Sequence, residues 1–486
     1  MKRIVALALC LLPVLLAPKA VLSQEWSASV SPELARADLS ALYAGLRAGH
    51  YNLYANQSKS DYDALYEEQL GLLDQPLTRF ELWRTLQLFT AYGKVAHARI
   101  EFPGEVYGDY REAGGKAFPI YLRIVDGRSY VGEDYSGVDA VSPGDEILAI
   151  DGIPMAEWLE RAGRYLSADT PYISHSLLET RFPMYLWLEA GEQDQYRLDL
   201  RKNNNRTMQA RVDALSYDEL VAQIESTPTT FALDYNARDA QILEGGVAYF
   251  RPGPFYNVED PERLWDNSGF MGFVEQSFNK FQQARAETLI IDLRNNPGGD
   301  NSFSDPIIAW IADQPFRFSS RFVVRSSAEA AASNQARLEA SESPAGSVSA
   351  RYAEAFASTP HGESFEFDID YAQPRAGGRF EGDVYVLINR NSYSNAVNSA
   401  AIIKDYGWGV IVGEPTADFA TTYGAMEHFN LPHSGFRVGF PKALIIRPSG
   451  DETPGGVVPD ISIETPIATA SSDVVLDSLL EIIRSK

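Results

Sequence analysis

The sequence predicts a multidomain protein of mixed α/β and α+β class, and three observations carry that expectation. Apolar residues recur first at helical spacing, then in short alternating runs, and last in near-continuous runs separated by helical stretches. The chain has 486 residues, 45% of them hydrophobic, enough to bury two or three ordinary cores. It has a single cysteine, Cys10, so cohesion must come from core burial rather than disulfides.

The elements follow in order. Residues 1–23 carry Lys2 and Arg3, an apolar run from Ile4 to Ala17, and a small-residue site at Val21-Leu22-Ser23 before Gln24. That is the pattern of a secretory signal peptide, which predicts export to a periplasmic or extracellular compartment. The run is short and broken by Pro13, which argues against stable membrane insertion. Leu9 precedes Cys10 where a lipidation signal needs a small residue.

Residues 24–115 predict a helical subdomain. Ser31-Pro32-Glu33 marks a helix start, and apolar residues recur at Leu34, Leu39, Leu42, Tyr43 and Leu46. A second helix is expected from Ser60 to Leu73, and a third after Pro76 and Thr78. Residues 116–205 change to short strands, FPIYLRIV (118–125) and YRLDLR (196–201), with VSPGDEILAIDGIP (141–154) between them. In the latter, Pro143-Gly144 makes a tight turn, Ile147, Leu148 and Ile150 a strand, and Asp151-Gly152 a hairpin turn. This stretch resembles a PDZ domain, which implies a module that binds a peptide as an added strand at a sheet edge. An ordinary β-hairpin has the same local pattern.

Residues 206–486 alternate β and α. GVAYFRPGPF (246–255) reads as a strand and turn, Phe273 to Arg285 as an amphipathic helix, and TLIIDLR (288–294) as a strand covered on both faces. Residues 326–374, rich in Ala, Ser and Glu, predict a helical excursion and loop, a candidate lid or insertion. A last block runs from Gly382 to Ile467, with a closing helix from Asp473 to Arg484.

The formal charge of −24 is spread along the chain, which disfavours nucleic acid and anionic membranes as partners. Six histidines (His50, His97, His175, His361, His428 and His433) are scattered without ligand spacing. No metal and no cofactor is therefore expected.

The segment 384–408, VYVLINRNSYSNAVNSAAIIKDYGW, places a buried strand, a turn with two serines and a small-residue helix in succession. A serine at the first turn of such a helix can attack a carbonyl beside unpaired backbone N–H groups. Ser392 or Ser394 can equally serve as a helix cap. Residues 291–299, IDLRNNPGG, end a second buried strand on Gly298 and Gly299, where bare backbone can present an N–H to a substrate. A plain turn after a strand fits the same residues.

In order, IDLRNNPGG, NRNSYSNA (389–396), IVGEPT (411–416) and GGVVPD (455–460) resemble the C-terminal processing peptidases, or tail-specific proteases, including their tricorn-core-like branch. The resemblance runs from the PDZ-like region to the C-terminus. It implies an α/β serine-peptidase core of the crotonase-like (ClpP/crotonase) fold acting on peptide or protein substrates. It also implies Ser394 as nucleophile, and an oxyanion hole from the Asn395 N–H with Gly298 or Gly299.

One departure matters. Many members carry a lysine base in a GEPTxGK pattern, whereas this chain reads GEPTADFAT, with Phe419 at that place. A phenyl ring accepts no proton. His97, in AYGKVAHARIEF (91–102), matches the histidine of the tricorn-like branch and is the expected base. Lys94 is a competitor whose ordinary place is the solvated surface. The resemblance puts an orienting glutamate at Thr453, beside Glu452 and Asp451, and Glu452 is taken for that role. The missing lysine leaves open a catalytically silent peptide-binding protein. An esterase is disfavoured because no G-x-S-x-G elbow surrounds Ser394. The oligomeric state is not legible.

Overall fold

A computed structural model describes residues 25–227, 231–340 and 347–486. The expected signal peptide, residues 1–23, lies outside the described residues. Three helices lead the chain, Pro32–Gly49, Lys59–Leu72 and Arg79–Ala91. Pro32 sits in the first turn, where its missing N–H costs nothing, and Ala35, Leu39, Leu42, Tyr43 and Leu46 form one buried face. The third helix starts on a capping box between Thr78 and Glu81.

These helices do not stand apart. Gly45 and Gly49 turn their bare faces to the rings of Phe429 and Phe440, and a Cβ on Gly49 would come within 2.6 Å of Phe440. Phe429 and Phe440 belong to the paired strands Thr422–Asn430 and Arg437–Ile446, part of an antiparallel sheet with Arg321–Arg325 and Ser364–Glu366. The short strand Arg99–Ile100 joins the same sheet against Val438 and Gly439.

The segment expected as a lid is built into this layer. Its helices Ala328–Ala340 and Val348–Ser358 bury Ala330, Asn334, Tyr352 and Phe356. Glu427, inside the sheet, pairs with both Arg337 and Lys442 at 2.5 Å. The physical reason is that alanine, abundant here, packs as readily against a sheet as it faces water.

A separate sheet holds Ile120–Val125, Arg128–Asp134, Glu146–Ile150, Gln195–Arg201 and Thr207–Asp213, with Ile153–Pro154 beside Glu146–Ile150. Asp151 and Gly152 both have positive φ, 52° and 82°, as a two-residue hairpin turn of this kind requires. The boundary expected at residue 205 falls within a hairpin, because Thr207–Asp213 pairs along Gln195–Arg201 and Leu215 bridges back to Ala117. Helices Met155–Gly163 and Pro171–Ala190 lie between its third and fourth long strands in sequence.

The C-terminal half is built on a six-stranded sheet in the order Asp239–Ile242, Ala248–Arg251, Thr288–Asp292, Asp383–Ile388, Val410–Gly413 and Ile461–Ser462. The first pair is antiparallel and the others are parallel. Alternate strand residues point to opposite faces. Phe250, Leu289, Ile291, Val384 and Val386 pack against helices Ser268–Gln283, Asn301–Ala309 and Asn395–Asp405. Tyr249, Ile290, Tyr385 and Leu387 pack on the other face against Val475 and Leu479 of the last helix, Val474–Arg484. Because Thr288–Asp292 and Asp383–Ile388 run parallel in register, Asp292 beside Leu387, their following loops emerge side by side. No helix among the described residues is long and apolar enough to cross a membrane.

Candidate active site

The two loops are stitched together by side chains. Ser392 is fully buried, accepts the Asn389 N–H at 3.1 Å and donates to the Leu293 carbonyl at 2.9 Å. Asn389 accepts the Asn295 N–H at 3.0 Å and donates to Asn295 Oδ1 at 2.8 Å. The Tyr393 N–H reaches the Asn296 carbonyl at 2.9 Å. Of the two serines, Ser392 is thus the structural one.

Ser394 has φ 54° and ψ −121° at the N-cap of helix Asn395–Asp405, and its side chain makes no capping bond. A non-glycine residue held there carries strain of about 1–3 kcal/mol. Its N–H donates to Asp418 Oδ2 at 2.7 Å, and that bond acts against the strain. Asp418 is 1% exposed, and its Oδ1 is buried with no partner among the described residues.

The glycine loop fits against this elbow. Gly298, at φ 83°, lies so close that a Cβ on it would stand 2.6 Å from the Tyr393 carbonyl and 2.8 Å from the Asn395 nitrogen and from Ser394 Cβ. Its N–H donates to Asn296 Oδ1 at 2.8 Å. Gly299 bridges Phe255 through the neighbouring Gly298 carbonyl and Asp300 N–H, so its own N–H meets no acceptor among the described residues. The Asn395 N–H, in the first helical turn, is likewise free of an intrahelical partner.

His97 lies between helix Arg79–Ala91 and strand Arg99–Ile100 and is 7% exposed. Its ring stacks on Tyr393, next to Ser394, with centroids 5.7 Å apart. Its Nδ1 is buried without a partner among the described residues. Asp169 sits beside it and accepts the Ala96 N–H at 2.9 Å. Burial pushes the Asp169 carboxyl up; the Ala96 N–H and His97 oppose that shift, and the charge of Asp418 adds to it.

The remaining expected residues fall elsewhere. Lys94 is exposed, with φ 51°. Phe419 packs with Tyr172 and Leu177 against the small apolar cluster of Ala96, Ala168, Ile173 and Ala417. Glu452 does not orient His97: its exposed carboxylate pairs with Arg321 at 3.4 Å. Its neighbour Asp451 accepts the Thr453 N–H at 2.9 Å. The loop turns these acids outward, and sequence distance alone carries no information on that direction. The carboxylates beside His97 and Ser394 are Asp169 and Asp418, which sequence reasoning missed. The only signal for Asp418 was its place next to Phe419 in GEPTADFAT. Among the described residues no group of His, Cys, Asp or Glu side chains is placed to hold a metal ion.

Residues 264–463 match peptidase family S41. No curated protein matches the chain by sequence. Among solved structures, mature CPAF complexed with lactacystin is similar at 17% identity, over 93% of this chain and 97% of that one, with a TM-score of 0.64. A second structure of mature CPAF is similar at 17% identity, over 89% of this chain and 92% of that one, with a TM-score of 0.60. Likeness at that identity shows a shared fold. The S41 match spans both the glycine loop and the serine elbow, so the part of the chain that carries this geometry is the part similar to that peptidase family.

Proposed function

We propose that the protein cleaves peptide bonds through an acyl-enzyme on Ser394, with His97 as general base. The observation that carries this reading is the strained, uncapped Ser394 beside both the Gly298–Gly299 loop and the ring of His97 stacked on Tyr393. Ser394 Oγ attacks the carbonyl carbon while His97 takes the hydroxyl proton. The oxyanion accepts hydrogen bonds from the Asn395 and Gly299 N–H groups, and the C–N bond breaks as His97 passes the proton to the leaving amine. Water then attacks the ester and frees Ser394. Asp169, which lies close enough to His97 to feel its charge, stabilises the imidazolium.

Substrates are peptides or proteins, as the family implies. The PDZ-like sheet supports capture of an extended segment at its edge, and the N-terminal sequence supports export. A catalytically silent peptide-binding protein is the second reading. It is favoured by the absence, among the described residues, of any hydrogen bond between His97 and Ser394, although such contacts loosen in unliganded sites.

A serine-reactive fluorophosphonate probe separates the two. Wild-type labelling that disappears in Ser394→Ala and falls by about 10²-fold or more in His97→Ala supports the peptidase mechanism. No wild-type labelling supports the silent binder. Labelling that survives Ser394→Ala overturns the nucleophile assignment.

A further inference from the structure

Two side chains outside the expected catalytic set each occupy one backbone N–H at the site and leave the next one open. On the serine loop, Asp418 Oδ2 accepts the Ser394 N–H at 2.7 Å, and the N–H that follows, of Asn395, heads a helix. On the glycine loop, Asn296 Oδ1 accepts the Gly298 N–H at 2.8 Å, and the N–H that follows, of Gly299, meets no acceptor among the described residues.

The two acceptors are anchored independently of any substrate. Asn296 is 2% exposed and donates through Nδ2 to the Gly253 carbonyl at 2.7 Å, which fixes the direction of its Oδ1. Asp418 is 1% exposed, and the Thr416 hydroxyl donates to its backbone carbonyl at 2.8 Å. The open amides belong to adjoining backbone, because a Cβ on Gly298 would lie 2.8 Å from the Asn395 nitrogen.

From this matched arrangement we infer that Asp418 and Asn296 are paired positioning residues of the oxyanion hole. Each ties up one amide and so orients the following amide toward the developing charge. This inference rests on Ser394 being the nucleophile. It assigns Gly299 rather than Gly298 as the donor on the glycine loop, and it gives the acid of GEPTADFAT a function other than proton transfer. Neither side chain touches the reacting atoms. Their effect passes through the backbone: with planar peptide units, only φ and ψ of the intervening residue set the angle from one N–H to the next, and Ser394 and Gly298 are held at positive φ, 54° and 83°.

Preorganised donors act on the transition state and not on ground-state binding. Inactivation by a fluorophosphonate reports both quantities, since the phosphoryl oxygen of the adduct occupies the oxyanion position. Asp418→Ala and Asn296→Ala should each lower the limiting inactivation rate by about 10²-fold and leave the half-saturating probe concentration unchanged. Asp418→Asn keeps an acceptor oxygen for the Ser394 N–H and should recover most of the loss seen in Asp418→Ala, which a purely structural role in folding does not predict.

Asp418→Asn keeps the test decisive if either alanine variant fails to fold. Limiting rates within about twofold of wild type for the folded alanine variants overturn the inference, as does a change confined to half-saturation. So does an unrecovered loss in Asp418→Asn at wild-type melting temperature. If Ser394→Ala is still labelled, the nucleophile assignment fails and this inference falls with it. If Ser394→Ala is silent and the positioning variants behave as wild type, only this inference fails.

Discussion

At the scale of single residues, Asp169 links the site to pH. Burial holds its carboxyl above the usual aspartate range, so the folded state binds that proton more tightly than the unfolded chain does. Its stabilising contribution is complete below the ordinary value of about 3.9, and it is lost as pH rises through the raised folded value. Asp169→Asn keeps an acceptor for the Ala96 N–H and removes the titration. The melting temperature of this variant, relative to wild type, should therefore climb as pH increases from about 3.5 to 7. A difference that stays flat across that range would contradict the assignment. The same residue shows what a sequence leaves hidden. The strand, polar turn and small-residue helix around Ser394 and Asn395 were legible from their composition, and the turn at Gly298 and Gly299 from its Asn-Pro-Gly-Gly run. Asp169 lies 72 positions from His97 in a stretch with no motif, and only the tertiary fold brings it to the Ala96 N–H. Glu452 failed for the opposite reason, since proximity in sequence to GGVVPD does not set which way an exposed carboxylate points.

At the scale of elements, the first helix shows how a glycine decides a packing distance. Gly49 faces the fully buried ring of Phe440, and a Cβ there would stand 2.6 Å from that ring. Gly49→Ala must push Phe440 into a packed sheet, and overpacking of this kind costs about 1–3 kcal/mol. Gly71 is the control: it is exposed near the end of helix Lys59–Leu72, and a Cβ there meets nothing within 4 Å. Gly71→Ala should stabilise by about 0.5–1 kcal/mol. Urea midpoints of the two variants moving in opposite directions would establish the contrast, and a shift of the same sign in both would refute it. The helices themselves were legible from spacing and caps, and the buried parallel strands from their unbroken apolar runs. The antiparallel layer of Arg321–Arg325, Thr422–Asn430 and Arg437–Ile446 was not, because Arg321–Arg325 lies far in sequence from the other two strands and one of these carries Glu427 in the interior. A charged residue in a strand reads as solvent-facing until its partners Arg337 and Lys442 are seen.

At the scale of the whole molecule, the chain is held as two apolar bodies joined by a polar seam. One continuous apolar cluster spans the N-terminal helices, the sheet that begins with Ile120–Val125 and the antiparallel layer, while two others flank the parallel sheet. Between the bodies lie the small cluster around Ala96 and Ala417 and a buried ion network. Arg123, from strand Ile120–Val125, pairs with Glu179 at 3.1 Å and also with Glu414. Arg390, four residues before Ser394, pairs with Glu179 at 2.9 Å and Glu414 at 3.3 Å, and donates to the Ile124 carbonyl at 2.7 Å. Burial raises Glu414, but Arg123 and Arg390 outweigh it and hold its carboxyl below the usual range. Removing one member of such a network leaves buried charge uncompensated, at about 3–5 kcal/mol. Arg123→Met does this by leaving two carboxylates to share Arg390. Since the seam is a buried polar tie between bodies that each have their own core, the loss should fall on their coupling more than on either core. Scanning calorimetry should show the wild-type protein unfolding in one transition and Arg123→Met in two. The lower transition should belong to the body that contains strand Ile120–Val125, where Arg123 resides. A single transition at the wild-type temperature in Arg123→Met would mean that the apolar contact of Phe419 and Ala417 with Ala96 and Ala168 suffices to couple the two bodies.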